Sequence, residues 1–365
     1  MTRHLPSPEL RYLQGFSLIE LMISLALGLI ILVAVLSAYT GAAAAAKMAE
    51  AQGRMYEDGQ AALTILTQQL RMAGYNPYQA GRINTHDQNP VYTEPPDFVR
   101  ADVVIPAGSG FQRSDYSIRG CDQTFITDAG TSLDDLGCVA NVSAQPDSIA
   151  LSYEADVFNT VPTVARTSPP TDCLGFPLTN IVATVRGIPA GSGPNNFVAT
   201  STELEQDVSF SVAVNRFYIA LSDTTSIPSL YCQGNGAGSG STSTAQPLVE
   251  NIQDMQITYG VEIPVNQTRT VAGYLRAEEL NGGVGAASAH ADLKVITQQE
   301  RWRKVVSVRI CLLVRSESAV VSDLASAQYF DCAGELVGAS DLRLRRTFSS
   351  TVMLRNWLGI EVTSP

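Results

Sequence analysis

The feature that most constrains this chain is a long uncharged segment close to its N-terminus. Residues 21–46 contain no charged side chain, and a polar segment with Arg3 and Arg11 precedes them. At about 1.5 Å per residue, a helix of this length crosses the roughly 30 Å hydrocarbon core of a bilayer. The run is too long for the apolar region of an ordinary secretory signal. The sequence therefore predicts a membrane anchor with its N-terminus in the cytoplasm.

An unusual motif lies at the boundary between the polar and apolar segments. Residues 15–20 read Gly-Phe-Ser-Leu-Ile-Glu, which places the carboxylate of Glu20 inside the apolar segment. An intramembrane carboxylate costs up to about 3 kcal/mol at mid-bilayer and less near the interface. One interpretation is that Glu20 lies at the helix edge and reaches the headgroups. The other is that it pairs with the α-amine of a neighbouring subunit.

This motif, followed by a long apolar helix, resembles the class III signal of type IV pilins and of type II secretion pseudopilins. The resemblance implies that a prepilin peptidase cleaves between Gly15 and Phe16 and then N-methylates Phe16. It also implies that Glu20 guides filament assembly. Many pilins have a proline midway along this helix, whereas none occurs here between Phe16 and Tyr75.

The helix is predicted to continue beyond the membrane segment. Apolar residues recur along one face, with Gln52 and Gly59 filling the remaining positions: Met48, Met55, Ala62, Leu66 and Leu70. Charged residues occupy the other side: Lys47, Glu50, Arg54, Glu57 and Asp58. This pattern is typical of an amphipathic helix that packs on a globular core. Gly74 and Pro77 predict its end, so that a single helix of roughly 55 residues is expected.

The rest of the chain predicts short β-strands without long helices between them, which favours an antiparallel sheet. The predicted strands are Asp102–Pro106, Ser148–Tyr153, Val208–Leu221, Met255–Ile263, Val305–Arg315 and Thr347–Leu354, of which Val305–Arg315 shows the clearest alternation. Residues 76–100 read as an irregular loop. Linker-like stretches are Pro162–Pro170, Gly187–Asn196, Gln233–Gln246 and Asn281–His290.

Six cysteines without C-x-x-C spacing indicate disulfides in an exported chain rather than a metal cluster. They are Cys121, Cys138, Cys173, Cys232, Cys311 and Cys332. Six cysteines allow fifteen connectivities. Chain proximity favours Cys121–Cys138 and Cys311–Cys332, which leaves Cys173–Cys232. The alternative is that some of them are buried free thiols.

Neither an enzyme nor a nucleic-acid-binding protein is indicated. His86 and His290 lie in loop-like sequence, and no nucleophile elbow or phosphate-binding loop is found. Four aspartates do not match a calcium-binding loop and are interpreted as solvated loop carboxylates: Asp122, Asp128, Asp134 and Asp135. The net charge of −11 disfavours contact with phosphates. No cofactor or metal is expected.

The resemblance extends to PilW-type minor pilins, on two further segments. Residues 66–75 resemble the end of their long helix, and segments at 305–309, 344–348 and 354–356 resemble their closing region. The implied fold is α+β and pilin-like, with one long helix packed on an antiparallel sheet and with disulfide-tied loops. The implied domains are a leader (1–15), a transmembrane segment (16–46), an amphipathic segment (47–74) and a periplasmic β-rich domain (75–365).

The expected function is that of a minor pilin that primes pilus assembly near the filament tip and supports twitching motility, adhesion or DNA uptake. Expected partners are other minor pilins, the major pilin, the prepilin peptidase, the inner-membrane assembly platform, the lipid bilayer and a tip adhesin. The expected location is the inner membrane and then the pilus. Two alternatives stay open: a minor pseudopilin of type II secretion, and an adhesin or sensor with an uncleaved anchor.

Overall fold

The computed structural model describes the chain from residue 17 to residue 356 with several gaps. The described residues are 17–75, 103–104, 114, 116–125, 133–134, 136–139, 145–160, 169–187, 204–222, 224–236, 245–262, 270–282, 293 and 296–356. The chain divides into two units, Met1–Ala51 and Gln52–Pro365, which are called the N-terminal unit and the C-terminal unit below.

A single helix, α1, runs without interruption over Leu18–Met72 and has the 55 residues that the sequence predicts. In the N-terminal unit, its large apolar side chains from Leu18 to Leu36 are between 53% and 78% exposed. The helix ends where the sequence places its end. Gly74 has a φ of +72°, the left-handed conformation that glycine adopts without strain, and its N–H donates to the carbonyl of Ser152.

The first sheet has seven strands, and a long central strand organises it. Its strands are β1 (Val103–Val104), β2 (Ile118–Cys121), β3 (Ser148–Ala155), β4 (Ile181–Gly187), β5 (Leu204–Leu221), β6 (Pro228–Gln233) and β7 (Gln246–Glu250). The order is β1-β4-β5-β3-β2, with β6 also on β5 and β7 on β6, and each pair is antiparallel. β5 pairs successively with β4, β3 and β6 along its 18 residues.

The second sheet has four antiparallel strands in the order β13-β10-β8-β9. They are β8 (Ile252–Glu262), β9 (Val271–Leu275), β10 (Val305–Arg315) and β13 (Arg345–Met353). A two-stranded hairpin, β11 (Tyr329–Phe330) and β12 (Leu336–Val337), follows β10 in the chain. Two short helices lie between β9 and β10: α2 (Ala277–Asn281) and α3 (Gln298–Arg303).

The hydrophobic core of the C-terminal unit joins both sheets to the second half of α1. The buried residues of this part of the helix, with Ala73 directly after it, are Met55, Gly59, Ala62, Leu63, Leu66, Leu70 and Ala73. They recur at the three- and four-residue spacing of one helix face. Gly59 is part of this face because the ring of Phe348 on β13 occupies the place of its missing side chain. A Cβ atom built there would lie 2.7 Å from the Phe348 Cδ2.

The predicted strand at residues 305–315 is confirmed at both ends by β10. Five apolar residues of β10 are at most 2% exposed: Val306, Val308, Ile310, Leu312 and Val314. On the opposite face Arg309 is exposed, as the alternation predicts, but Ser307 and Leu313 are also buried. This sheet is therefore partly covered on its second face.

Other predictions need correction. Gln52 is exposed, not part of the buried face, and Asp58 is half-buried, not fully on the solvent side. The stretch from Gln233 to Gln246 is not a linker throughout, because Gly234 and Gly236 are buried and Gln246 begins β7. Seven short strands that lack a clear apolar period were not predicted: β2, β4, β6, β7, β9, β11 and β12. Residues 76–100, 161–168, 188–200 and 283–292 lie outside the described residues.

Candidate functional site

A reciprocal capping box between Ser17 and Glu20 caps the N-terminus of α1. The N–H of Glu20 donates to the Ser17 Oγ over 3.2 Å, and the N–H of Ser17 donates to the Glu20 Oε2 over 3.4 Å. These two bonds satisfy backbone donors that the first turn of a helix otherwise leaves open. Glu20 therefore has a partner within its own helix. The spacing Ser-x-x-Glu in the sequence is the signal for this box, although Ser17 was not singled out.

The two residues of the predicted cleavage site, Gly15 and Phe16, lie outside the described residues. Directly after them, α1 is long and apolar enough to cross a membrane by its length and composition. A helix with exposed leucine, isoleucine and valine side chains over several turns needs apolar surroundings from outside its own unit. The N-terminal segment therefore has the physical properties of a membrane anchor.

A buried polar cluster holds the C-terminal part of α1 to the first sheet. Asn215 on β5 is fully buried, and its Nδ2 donates to the Gln69 Oε1 over 2.9 Å and to the Tyr153 hydroxyl over 3.2 Å. The N–H of Cys173 donates to the Asn215 Oδ1 over 3.2 Å. Burial raises the pKa of Tyr153 to about 12, with the Asn215 bond acting in the opposite direction. Satisfied polar groups of this kind fix one register of the helix on the sheet.

Two more side chains join α1 to the segments that surround it. The Asn356 Nδ2, after β13, donates over 2.8 Å to the carbonyl of Arg71 in the last turn of the helix. The Asn251 Nδ2 donates to the Asp58 Oδ2 over 3.4 Å, and burial raises the pKa of Asp58. Neither asparagine was predicted, because isolated polar residues in a sequence carry no periodic signal.

Three disulfides tie loops to the sheets. They join Cys121 to Cys138, Cys173 to Cys232 and Cys311 to Cys332, which is the pairing that chain proximity favours. No cysteine is free. The turn at Cys173 is also held by Asp172, whose two carboxylate oxygens accept from the N–H groups of Leu174, Phe176 and Gly236. The bond from Gly236 connects the beginning of the glycine-rich stretch to this turn.

An acidic cavity of about 700 Å³ lies in the C-terminal unit. It is lined by Asp122, Gln123, Gln145, Asp147, Asp254, Gln256, Ile257, Thr258, Arg276, Glu278, Asp331, Cys332 and Ala333. The interpretation of Asp122 as a solvated loop carboxylate is wrong, because this residue is half-buried and its Oδ1 accepts from the N–H of Ala277 over 2.8 Å. Asp134 is exposed, as predicted, whereas Asp128 and Asp135 lie outside the described residues.

Within the part of the chain that the structure describes, no group of three His, Cys, Asp or Glu side chains could hold a metal ion. His86 and His290, the histidines weighed as catalytic bases, are not among the described residues.

Two family models match parts of this chain. The family model described as the prokaryotic N-terminal methylation motif matches residues 10–36. The family model described as type IV pilus-assembly protein W, PilW, matches residues 216–356. The second match begins in β5 and extends past the end of β13, so that it includes the whole second sheet and Asn356. None of the curated proteins matches the chain.

A solved structure also resembles the chain weakly. A type IV-like pilin from Thermus thermophilus is 11% identical and has a TM-score of 0.30, with 83% of this chain and 98% of that chain covered. A TM-score this low leaves the fold to be judged from the helix and the sheets themselves. The two family matches carry the relationship.

Proposed function

We propose that this chain is a PilW-like type IV pilin and that it acts as a minor pilin that helps to prime pilus assembly near the filament tip. Domains of this family are structural proteins, and pilins assemble with other pilins after peptidase processing. The proposed role therefore rests on assembly and involves no catalysis by the chain itself.

One observation carries the proposal. A methylation motif at residues 10–36 stands at the start of an exposed apolar helix, and the same chain carries the PilW match over residues 216–356. The apolar side chains of the N-terminal unit need a partner outside it. In the proposed cycle, lipid covers them before assembly and the helices of other subunits cover them in the filament.

The proposal includes a topology and a set of domains. Residues 1–15 are the leader, residues 16–46 cross the inner membrane, and residues 47–74 continue the helix into the globular domain of residues 75–365. The N-terminus lies in the cytoplasm and the globular domain in the periplasm. Support for this orientation comes from Arg3 and Arg11, which precede the apolar run.

The proposed partners are other minor pilins, the major pilin, the prepilin peptidase, the inner-membrane assembly platform and a tip adhesin. The pili would serve twitching motility, adhesion or DNA uptake. Direct binding of nucleic acid by this subunit is not proposed, because its net charge of −11 opposes contact with phosphates.

The first experiment determines the intact mass and the N-terminal sequence of the protein isolated from its native membranes. We expect a chain that begins at N-methylated Phe16, with a mass that corresponds to three disulfides. A chain that retains residues 1–15 would instead identify a membrane-anchored adhesin or sensor and would overturn the proposal.

A deletion strain then separates the pilus from type II secretion. We expect loss of surface pili and of twitching, with normal export of secreted enzymes, and restoration of pili when the intact gene is returned. Loss of export with normal pili would assign the chain to the minor pseudopilins.

The role of Glu20 is tested in the same strain. We predict that Glu20→Ala leaves cleavage intact but reduces recovery of the subunit in sheared pili, because the freed α-amine of a neighbouring subunit loses its carboxylate partner. Glu57→Ala, which removes an exposed carboxylate from the same helix, is the matched control and should assemble normally. Normal piliation with Glu20→Ala as the sole copy would argue against an assembly role for this residue.

A further inference from the structure

Asp147, just before β3, forms a direct connection between the first sheet and the second sheet. Its N–H donates to the carbonyl of Met255 over 2.7 Å, and the N–H of Ile257 donates to its Oδ2 over 2.6 Å. Asp147 is only 5% exposed. Its backbone and its carboxyl group thus bind to two alternate residues of β8, as a neighbouring strand does. The contact holds β8 beside the start of β3.

The surroundings of this carboxyl group are acidic. Asp147 lines the acidic cavity, and each neighbouring element contributes charged or titratable groups: Asp122 after β2, Asp254 and Tyr259 on β8, Arg276 and Glu278 at α2, and Asp331 after β11. Arg276 is the one cation among the described residues that line the cavity. An ionised Asp147 would therefore add a negative charge to a buried site that already holds several carboxyl groups.

Burial raises the pKa of Asp147 from the ordinary 3.8 to about 8, and the negative charges of Asp122 and Asp254 act in the same direction. The Ile257 N–H bond and Arg276 oppose this shift. Burial likewise raises the pKa values of Asp122 and Asp254. The folded site thus retains a proton that the unfolded chain releases at a lower pH.

We propose that Asp147, through its two hydrogen bonds to β8, is a pH-sensitive clamp that holds the two sheets together more tightly in acid than in alkaline solution. The folded pKa lies above the unfolded pKa, so the contribution is fully present below about pH 4. It decreases as the pH rises to the folded pKa of about 8 and then changes no further.

The test is hydrogen–deuterium exchange of the full-length protein in detergent micelles, measured on β8 from pH 5 to pH 9 and corrected for intrinsic exchange rates. In the wild type, the opening equilibrium should rise by up to about tenfold per pH unit between pH 5 and pH 8 and then level off. Asp147→Asn keeps an oxygen that can accept from Ile257 but cannot ionise. We expect the opening equilibrium of this variant to depend on pH less steeply than that of the wild type, by the equivalent of about one titrating proton.

Asp323→Asn, at a fully exposed carboxylate, is the matched control and should retain the wild-type profile. An unchanged pH profile in Asp147→Asn, or protection of β8 in the wild type that does not vary between pH 5 and pH 8, would overturn the proposal. If Asp147→Asn fails to fold, Asp122→Asn and Asp254→Asn decide instead. If the pH dependence of β8 exchange persists in both variants, the titrating group is Asp147. If either variant abolishes this pH dependence, the titrating group is the substituted residue and not Asp147.

Discussion

The two parts of α1 form one continuous helix but obtain their stability in different ways. In the N-terminal unit, the large apolar side chains from Leu18 to Leu36 are more than half exposed. In the C-terminal unit, the apolar residues occupy one face, and Ala62, Leu66 and Leu70 are at most 1% exposed. The second part therefore belongs to a core that its own unit completes, whereas the large apolar side chains of the first part stay exposed.

This difference shows that the same residue type has a different role in each part. A leucine in the C-terminal unit contributes to folding, because its removal leaves a cavity in a closed core. A leucine between Leu18 and Leu36 is more than half exposed, so its removal leaves no such cavity. Matched substitutions in the two parts can test this distinction.

The largest expected effect is that of Leu66→Ala, compared with Leu29→Ala. Leu66 is 1% exposed and Leu29 is 56% exposed. We expect Leu66→Ala to lower the free energy of unfolding of the C-terminal unit by about 3 kcal/mol. Leu29→Ala should leave it unchanged. The measurement is urea unfolding of the full-length protein in detergent micelles, followed by circular dichroism of the sheets. Equal losses of unfolding free energy in both variants would contradict the conclusion that the two parts of the helix have different roles.

Replacing two glycines of α1 by alanine is expected to change the stability less, and with opposite signs at the two positions. Gly59→Ala places a methyl group against the ring of Phe348, whereas Gly53→Ala meets nothing within 4 Å. We expect Gly59→Ala to destabilise the C-terminal unit by about 2 kcal/mol through overpacking. Gly53→Ala should stabilise it by up to about 1 kcal/mol through helix propensity. Thermal unfolding of both variants measures the sign of each change in stability. If Gly59→Ala is stabilising, the ring of Phe348 can move aside.

The smallest effect compares two capping boxes. Thr297 and Glu300 form at α3 the same reciprocal bonds that Ser17 and Glu20 form at α1. We expect Thr297→Ala to lower the unfolding free energy of the C-terminal unit by about 1 kcal/mol, since α3 belongs to that unit. Ser17→Ala should not change this quantity. A comparable loss from Ser17→Ala would mean that the first turn of α1 contributes to the stability of the C-terminal unit.

The predictions made from the sequence succeeded where a residue pattern repeats over many positions. The extent of α1, its end at Gly74 and the bounds of β10 are such cases. Strands of four to seven residues escaped prediction because a short run shows no clear period. The buried carboxyl groups were also missed, since nothing in the sequence around Asp122 or Asp147 distinguishes a half-buried or buried aspartate from one on a loop.

The sequence by itself determined the long apolar segment, the Gly-Phe-Ser-Leu-Ile-Glu motif at its start and the long helix, because each depends on neighbouring residues and on one local conformation. It also favoured the three disulfide pairs through their spacing. Only the tertiary structure decided which face of α1 is buried around Gly59, how Asn215 and Asn356 hold the helix, and that Asp147 connects the two sheets. These contacts join residues that are far apart in the chain, and their energies depend on burial and on partners that appear only after folding.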